Sequence, residues 1–396
     1  MAVQRITGLL VLNIFMSGAA YAAMNPYRAI VGIETLGFSN ASFGALMACN
    51  ALGGSIIAVM LGWISDKVED RRVLVLLCAI GGILGFGLVW AVRTPIGFAT
   101  AFCLLIPFGN ALFSQSFSYS RAFYDRERPE KSQLILSFLR TAFTLAWIIV
   151  PPLAGWFAAK TSTYSVFGIS AFAHVGCTLA VALLWIDSRS RIGINRGTKS
   201  DEGQSVLERP RIALGHRFGV VGVTFSMIAL QLNTVLLPLI ILKDLGGTLE
   251  QVGVTAAVAA AIEAPIMIGW GYLALRWRKE TILAISCFLF AIYFGGVSLA
   301  GTYQLVLGLQ VLAALAIAAL ISISISYLQE AIPGRVGLST SLVDVTRVIA
   351  SLSAAAIFAA NPWATYGPLM GVAAVLCLGG TGALILAGRL ALRYEA

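Results

Sequence analysis

The segment from Asp187 to Arg217, DSRSRIGINRGTKSDEGQSVLERPRIALGHR, is the longest polar stretch of the chain and carries seven of its 27 Lys and Arg residues. On either side the pattern reverses. Apolar runs of roughly 20 residues, the length a helix needs to cross a hydrocarbon core of about 30 Å, follow one another with short polar breaks. Six lie before the segment, near 6–26, 40–65, 73–92, 95–120, 132–159 and 163–186. Six lie after it, near 214–241, 248–275, 281–300, 303–329, 337–360 and 364–388. Apolar residues fill 59% of the 396 positions and charged residues only 11%, where soluble domains carry about 25%. So few charges cannot cover a soluble fold of this size, and the bilayer becomes the solvent. The expected fold is an all-α integral membrane protein with twelve transmembrane helices in two six-helix bundles. These are residues 1–187 and 214–396, joined by a cytoplasmic linker over 188–213.

The net charge of +9 is distributed by side rather than gathered on one surface. Of the 27 basic residues, 21 fall in segments that alternate to one side of the membrane, and Arg28, Arg93, Lys160 and Lys243 fall on the other. Arg140 and Arg347 lie inside spans. This is the positive-inside pattern, not a phosphate-binding surface, so nucleic acid is excluded as a partner. An even number of spans puts both termini on one side, and the charge makes that side cytoplasmic. The expected location is the plasma membrane, the inner membrane of a bacterium. The N-terminal apolar run has no small-residue cleavage pattern before Asn25-Pro26 and reads as a first helix that stays. The six cysteines all sit in apolar spans without metal-ligand spacing and read as packing residues. No Ser/His/Asp set, paired-histidine metal site or phosphate-cradling glycine loop is present, which argues against an enzyme, a metal or a cofactor.

The halves carry traces of a repeat. Gly44 and Gly62 stand 18 apart in span 2, as Gly253 and Gly271 do in span 8, at an offset of 209. Arg5 and Pro26 bracket span 1 as Arg217 and Pro238 bracket span 7, at an offset of 212. Such spacing fits parallel halves of the kind found in transporters.

Gly62-Trp-Ile-Ser-Asp66-Lys67 with Arg71-Arg72 resembles the cytoplasmic signature of the major facilitator superfamily between helices 2 and 3. There a small residue lets helices approach, and an acid with following basic residues forms a charge latch. The glycine usual after the acid is replaced by Val68-Glu69-Asp70, and the counterpart at Gly271–Lys279 lacks the acid. Further segments resemble the sugar efflux transporter family of bacterial exporters. They are Asn110 to Gln115 with Arg121, Arg140 through Trp147 to Pro151-Pro152, Asn233-Thr234, Glu263-Ala-Pro265 with Gly271-Tyr272, and Gln329-Glu330 through Arg335. The resemblance implies export of small sugars or glycosides by proton exchange, from a cavity between helices 1, 4, 7 and 10. Asp344 and Arg347 depart from that pattern, in which uncharged polar residues are expected. A monomer is expected, with sugar, proton and lipid as its partners. The alternative reading is a multidrug/proton antiporter of the same superfamily.

An ionised group at the bilayer centre costs at least about 2.5–3.5 kcal/mol, so each one needs a reason. Glu263 lies 13 residues from both Glu250 and Arg276, roughly 20 Å from either boundary. Desolvation there favours the neutral acid, which makes Glu263 the first candidate for carrying the coupled proton, with Asp344 second. Arg140 stands nine residues past Lys131 and Asp344 nine past Arg335. At matched depth they are candidates for a gating pair, or Asp344 pairs with Arg347 on its own helix. Asp66 and Arg71 are the other gating candidates. His174, also central, reads as packing on a peripheral helix rather than as a proton relay. Neutral polar residues suit a hydroxylated ligand, and Asn25, Asn50, Asn110, Gln115, Gln231, Asn233 and Tyr327 are the candidate contacts.

Overall fold

A computed structural model describes residues 2–65, 67–193, 213–332 and 336–395. It contains helices and no strand among those residues. Twelve helices are long and apolar enough to cross a membrane. They are α1 (Ala2–Met24), α2 (Asn40–Ser65), α3 (Arg72–Val92), α4 (Pro95–Glu127), α5 (Ser132–Lys160) and α6 (Ser165–Leu184). After the central segment come α7 (Leu214–Leu239), α8 (Leu249–Leu273), α9 (Lys279–Ser298), α10 (Tyr303–Glu330), α11 (Val336–Ala359) and α12 (Gly367–Glu395). These agree with the spans read from hydropathy. The ends differ mostly because α4 and α10 run past their apolar cores into polar turns.

The helices gather into two compact units, residues 1–38 with 49–206 and residues 39–48 with 207–396. In the first unit, lipid-like interiors give no hydrophobic drive between helices, so small residues and single hydrogen bonds set the packing. Asn13 Nδ2 donates to Ser116 Oγ at 2.8 Å, joining α1 to α4. Ser170 Oγ on α6 donates to Ala20 O on α1 at 2.7 Å. A Cβ built on Gly82 would lie 2.0 Å from the His174 ring, and one on Gly109 would lie 2.9 Å from Gly82 Cα. Glycine at both positions is what seats the imidazole between α3, α4 and α6. Its Nδ1 lies 2.8 Å from Ser170 O, and Phe86 packs on its face at 5.0 Å.

In the second unit α7 and α12 cross through a glycine pair. A Cβ on Gly222 would meet Gly380 O at 2.8 Å, and one on Gly380 would meet Gly222 O at 3.0 Å. Trp270 Nε1 on α8 donates to Leu315 O on α10 at 2.9 Å, and Ser286 Oγ on α9 donates to Ala316 O at 2.8 Å. The Asp244 carboxylate accepts from the backbone N–H groups of Tyr366 at 2.8 Å and Gly367 at 3.0 Å, capping α12 from another helix.

The repeat is sharper in three dimensions than in the sequence. Two helix exits widen into π turns, Val31–Thr35 and Ile240–Asp244. Each is followed by a left-handed glycine, Gly37 at φ 72° and Gly246 at φ 63°, the conformation only glycine adopts freely. Ser39 and Thr248 then cap the next helix, accepting from the N–H groups of Ser42 at 3.1 Å and Gln251 at 3.3 Å. All these pairs share the offset of 209.

Candidate functional site

The polar side chains inside the first unit fall into two kinds. Asn50 is committed to packing, its Nδ2 donating to Phe102 O at 2.6 Å between α2 and α4. Asn110 on α4 and Asn25 just past α1 each hold a buried side-chain oxygen with no partner. Asn110 shares one α4 face with Phe113 and Phe117, three and seven residues on. Those two rings stack at 5.8 Å, and the Arg140 guanidinium of α5 lies over Phe117 at 4.8 Å. The result is an amide, an aromatic strip and a cation in a row. Gln115 is half-buried but sits about 140° round the helix from Asn110, so it does not join that row.

The charge latch takes a different form from the one expected. Asp66 lies outside the described residues. Arg71 keeps a buried Nε without a partner, and its neighbour Arg72 makes the ion pair, reaching Asp70 at 2.6 Å with side-chain exposures of 5% and 15%. Arg72 also donates to Leu184 O at 3.0 Å and Ser190 Oγ at 2.7 Å. Tyr119 OH closes the cluster on Ser190 O at 2.6 Å. Sequence spacing missed this because Ser190 stands 118 residues from Arg72.

The second unit contains a polar layer at one depth. Tyr293 OH donates to Asn233 Oδ1 at 2.9 Å, and Gln310 Nε2 approaches the same hydroxyl at 3.5 Å while donating to Val306 O at 3.0 Å. Asn233, Tyr293 and Gln310 therefore tie α7, α9 and α10 together through buried groups. Tyr293 gave no signal in the sequence, since an aromatic residue in an apolar span reads as packing. Gln231 is committed elsewhere, its Nε2 donating to Ser351 Oγ on α11 at 2.8 Å.

Glu263 belongs to the same layer. Thr255 of α8 meets Tyr303 of α10 at 3.4 Å, an offset of 48, and Trp270 meets Leu315, an offset of 45. Glu263, between them, is level with positions 308–311, which include Gln310. It shares a helix face with Trp270, two turns on. Glu263 forms no ion pair among the described residues. Asp344 and Arg347 are both exposed on α11, and no ion pair joins them. Their spacing permits contact and the side chains do not use it. Tyr327 stands 17 residues along α10 from Gln310, about 25 Å away, so one small ligand does not touch both. No group of three or more metal-binding side chains occurs among the described residues.

Relatives and solved folds agree with this arrangement. A Deinococcus radiodurans protein is 25% identical over 383 residues, spanning 96% of this chain and 97% of its own. Sugar efflux transporter C of Escherichia coli is 28% identical over 328 residues, covering 83% and 82%. Sugar efflux transporter B of Salmonella typhimurium is 28% identical over 365 residues, covering 91% and 86%. Among solved structures, a POT peptide transporter in complex with alafosfalin superposes with a TM-score of 0.77 at 14% identity, covering 97% and 95%. The nucleoside transporter NupG superposes with a TM-score of 0.74 at 14% identity, covering 99% of both chains. The family model of the Major Facilitator Superfamily matches residues 10–355, and this multi-pass membrane protein belongs to that superfamily.

Proposed function

We propose that this chain is a secondary transporter that exports small sugars or glycosides in exchange for protons by alternating access. The observation that carries the reading is the polar layer of the second unit. There an amide–phenol–amide chain lies level with a carboxylate that no cation neutralises. Neutral donors and acceptors in a dry site recognise hydroxyl groups, because an unmatched ligand would leave them unpaired. A carboxylate without a counter-ion, by contrast, is free to exchange a proton as water enters and leaves. The names of the relatives support sugar as the cargo. Asn110 and Asn233 are proposed as ligand contacts, each within its own unit, and Asn25 offers a further open acceptor. Asn50 and Gln231 have their donors engaged between helices and are assigned to packing. Arg140 and Asp344 are assigned to state-dependent gating. The chain is proposed to act as a monomer in the bacterial inner membrane with both termini cytoplasmic.

The test is accumulation of radiolabelled methyl α-D-glucopyranoside and lactose in inverted vesicles with an imposed acid-inside gradient. Sugar accumulation that collapses when the gradient is dissipated is expected. Accumulation of lipophilic cations with none of sugar would replace this reading with the multidrug one.

A further inference from the structure

Where α7 begins and α10 ends, the second unit encloses a cavity of about 250 Å³. Drug-sized ligands occupy roughly 300–1,000 Å³, so this one suits a single small ring. Its floor is Tyr327, only 2% exposed, whose hydroxyl has no hydrogen-bond partner. His216 stacks on the Tyr327 ring with centroids 5.6 Å apart and planes at 21°. Trp277 forms the outer lip, 47% exposed.

Two observations show that this hydroxyl is kept open rather than merely buried. The first is steric. A Cβ on Gly219 would fall 1.8 Å from Tyr327 Oη, so only glycine leaves the hydroxyl where it is. The second is internal to the chain. The offset of 209 that aligns the two halves places Thr7 opposite His216. Tyr124 stands three residues before the end of α4, as Tyr327 does before the end of α10. In the first unit Tyr124 OH donates to Thr7 Oγ1 at 2.9 Å and is satisfied. In the second, His216 takes the position of the hydroxyl and stacks instead of accepting, leaving Tyr327 a free polar atom at the bottom of a cavity. An unpaired buried hydroxyl is costly unless something else meets it.

The charges around the mouth determine what that something is. Arg278 lies 3.8 Å from Glu280, and Lys279 is paired with Glu330. Two cations and two anions cancel, and an ionic ligand would have to break these pairs. A neutral polyhydroxyl ligand would not, since each paired group still offers lone pairs or N–H donors toward the cavity. Aromatic walls with a few convergent polar groups complete the requirement.

We infer that this cavity is a second sugar-binding site, distinct from the Asn233 layer, which takes one neutral hexose or hexoside ring against Trp277 and Tyr327. The inference rests on the sugar reading proposed above and adds a second site to it. The experiment is equilibrium dialysis of radiolabelled methyl α-D-glucopyranoside against the purified full-length protein in nanodiscs. The wild type is expected to bind two equivalents. Tyr327→Phe, which keeps the ring, and Trp277→Ala, on the exposed lip where folding is not at stake, should each leave one. Asn233→Ala should remove the other. One equivalent in the wild type, lost in Asn233→Ala and unchanged in Tyr327→Phe and Trp277→Ala, would overturn the second site while leaving the export reading intact. Preference of the Tyr327-dependent site for glucose 6-phosphate would overturn the assignment to a neutral ligand. No sugar bound by any form would overturn both readings.

Discussion

Replacing Glu263 by Gln removes one ionisable proton and little else. The side chain has no ion-pair partner among the described residues, so the substitution strands no cation. Breaking a buried pair would cost about 3–5 kcal/mol. Here the amide has the volume of the acid, and Gly308 on α10 at the same level has open space around it. The stability change should stay within about 0.5 kcal/mol. Pro265 two residues on withholds an N–H from the Ala261 carbonyl, leaving a backbone acceptor that the new amide can use. The effect on transport should be far larger. One pH unit stores about 1.36 kcal/mol per proton, which at one proton per sugar sustains roughly tenfold accumulation. Glu263→Gln mimics the protonated acid permanently, so sugar binding and sugar–sugar exchange should continue. Accumulation driven by one pH unit should fall from about tenfold to about onefold. The assay is reconstitution into liposomes, with counterflow and pH-driven uptake measured on the same preparation. Full gradient-driven accumulation in Glu263→Gln would show that the proton travels elsewhere, with Asp344 the next candidate. Loss of counterflow as well would show that Glu263 acts in binding rather than coupling.

Tyr293→Phe leaves Asn233 Oδ1 without its donor, and sugar affinity should weaken by about 1–3 kcal/mol; unchanged dissociation constants in both Tyr293→Phe and Asn233→Ala would remove this layer from the site. Arg72→Ala strands a largely buried Asp70 and should lower the thermal midpoint in detergent by far more than Arg71→Ala, with about 3–5 kcal/mol at stake; equal effects would show that the latch is not the Arg72–Asp70 pair. Gly82→Ala drives a methyl into the His174 ring and should cost about 1–3 kcal/mol, and His174→Ala in the same chain should recover most of it; a double variant no better than the single one would contradict the packing role. In a cysteine-depleted background of intact cells, Ser188→Cys should resist an impermeant maleimide and Gly301→Cys should react; the opposite pattern would reverse the proposed orientation.

The twelve helices were legible because the bilayer imposes a requirement that sequence meets locally. Every span must supply its own backbone hydrogen bonds and enough apolar length, and both are properties of some twenty consecutive residues. The same locality made Glu263 visible, since a lone acid midway between Glu250 and Arg276 needs no structure to be conspicuous. It also made the family recognisable, through short motifs such as Gly62–Lys67 and Glu263–Pro265. What sequence could not determine was which polar groups remain free. Asn50 and Asn110 look alike in the chain, yet one donates to Phe102 O and the other keeps an open carbonyl. Arg71 and Arg72 are adjacent, and only the direction each leaves its helix selects the one that meets Asp70 and Ser190. Tyr293 joins Asn233 and Gln310 across separations of 60 and 17 residues, and Tyr327 loses its place in the central layer through distance along α10 alone. Hydrogen bonding saturates, so a group spent on a neighbouring helix is withdrawn from any ligand. That accounting depends on which helices touch and at what register, and only the tertiary structure sets either.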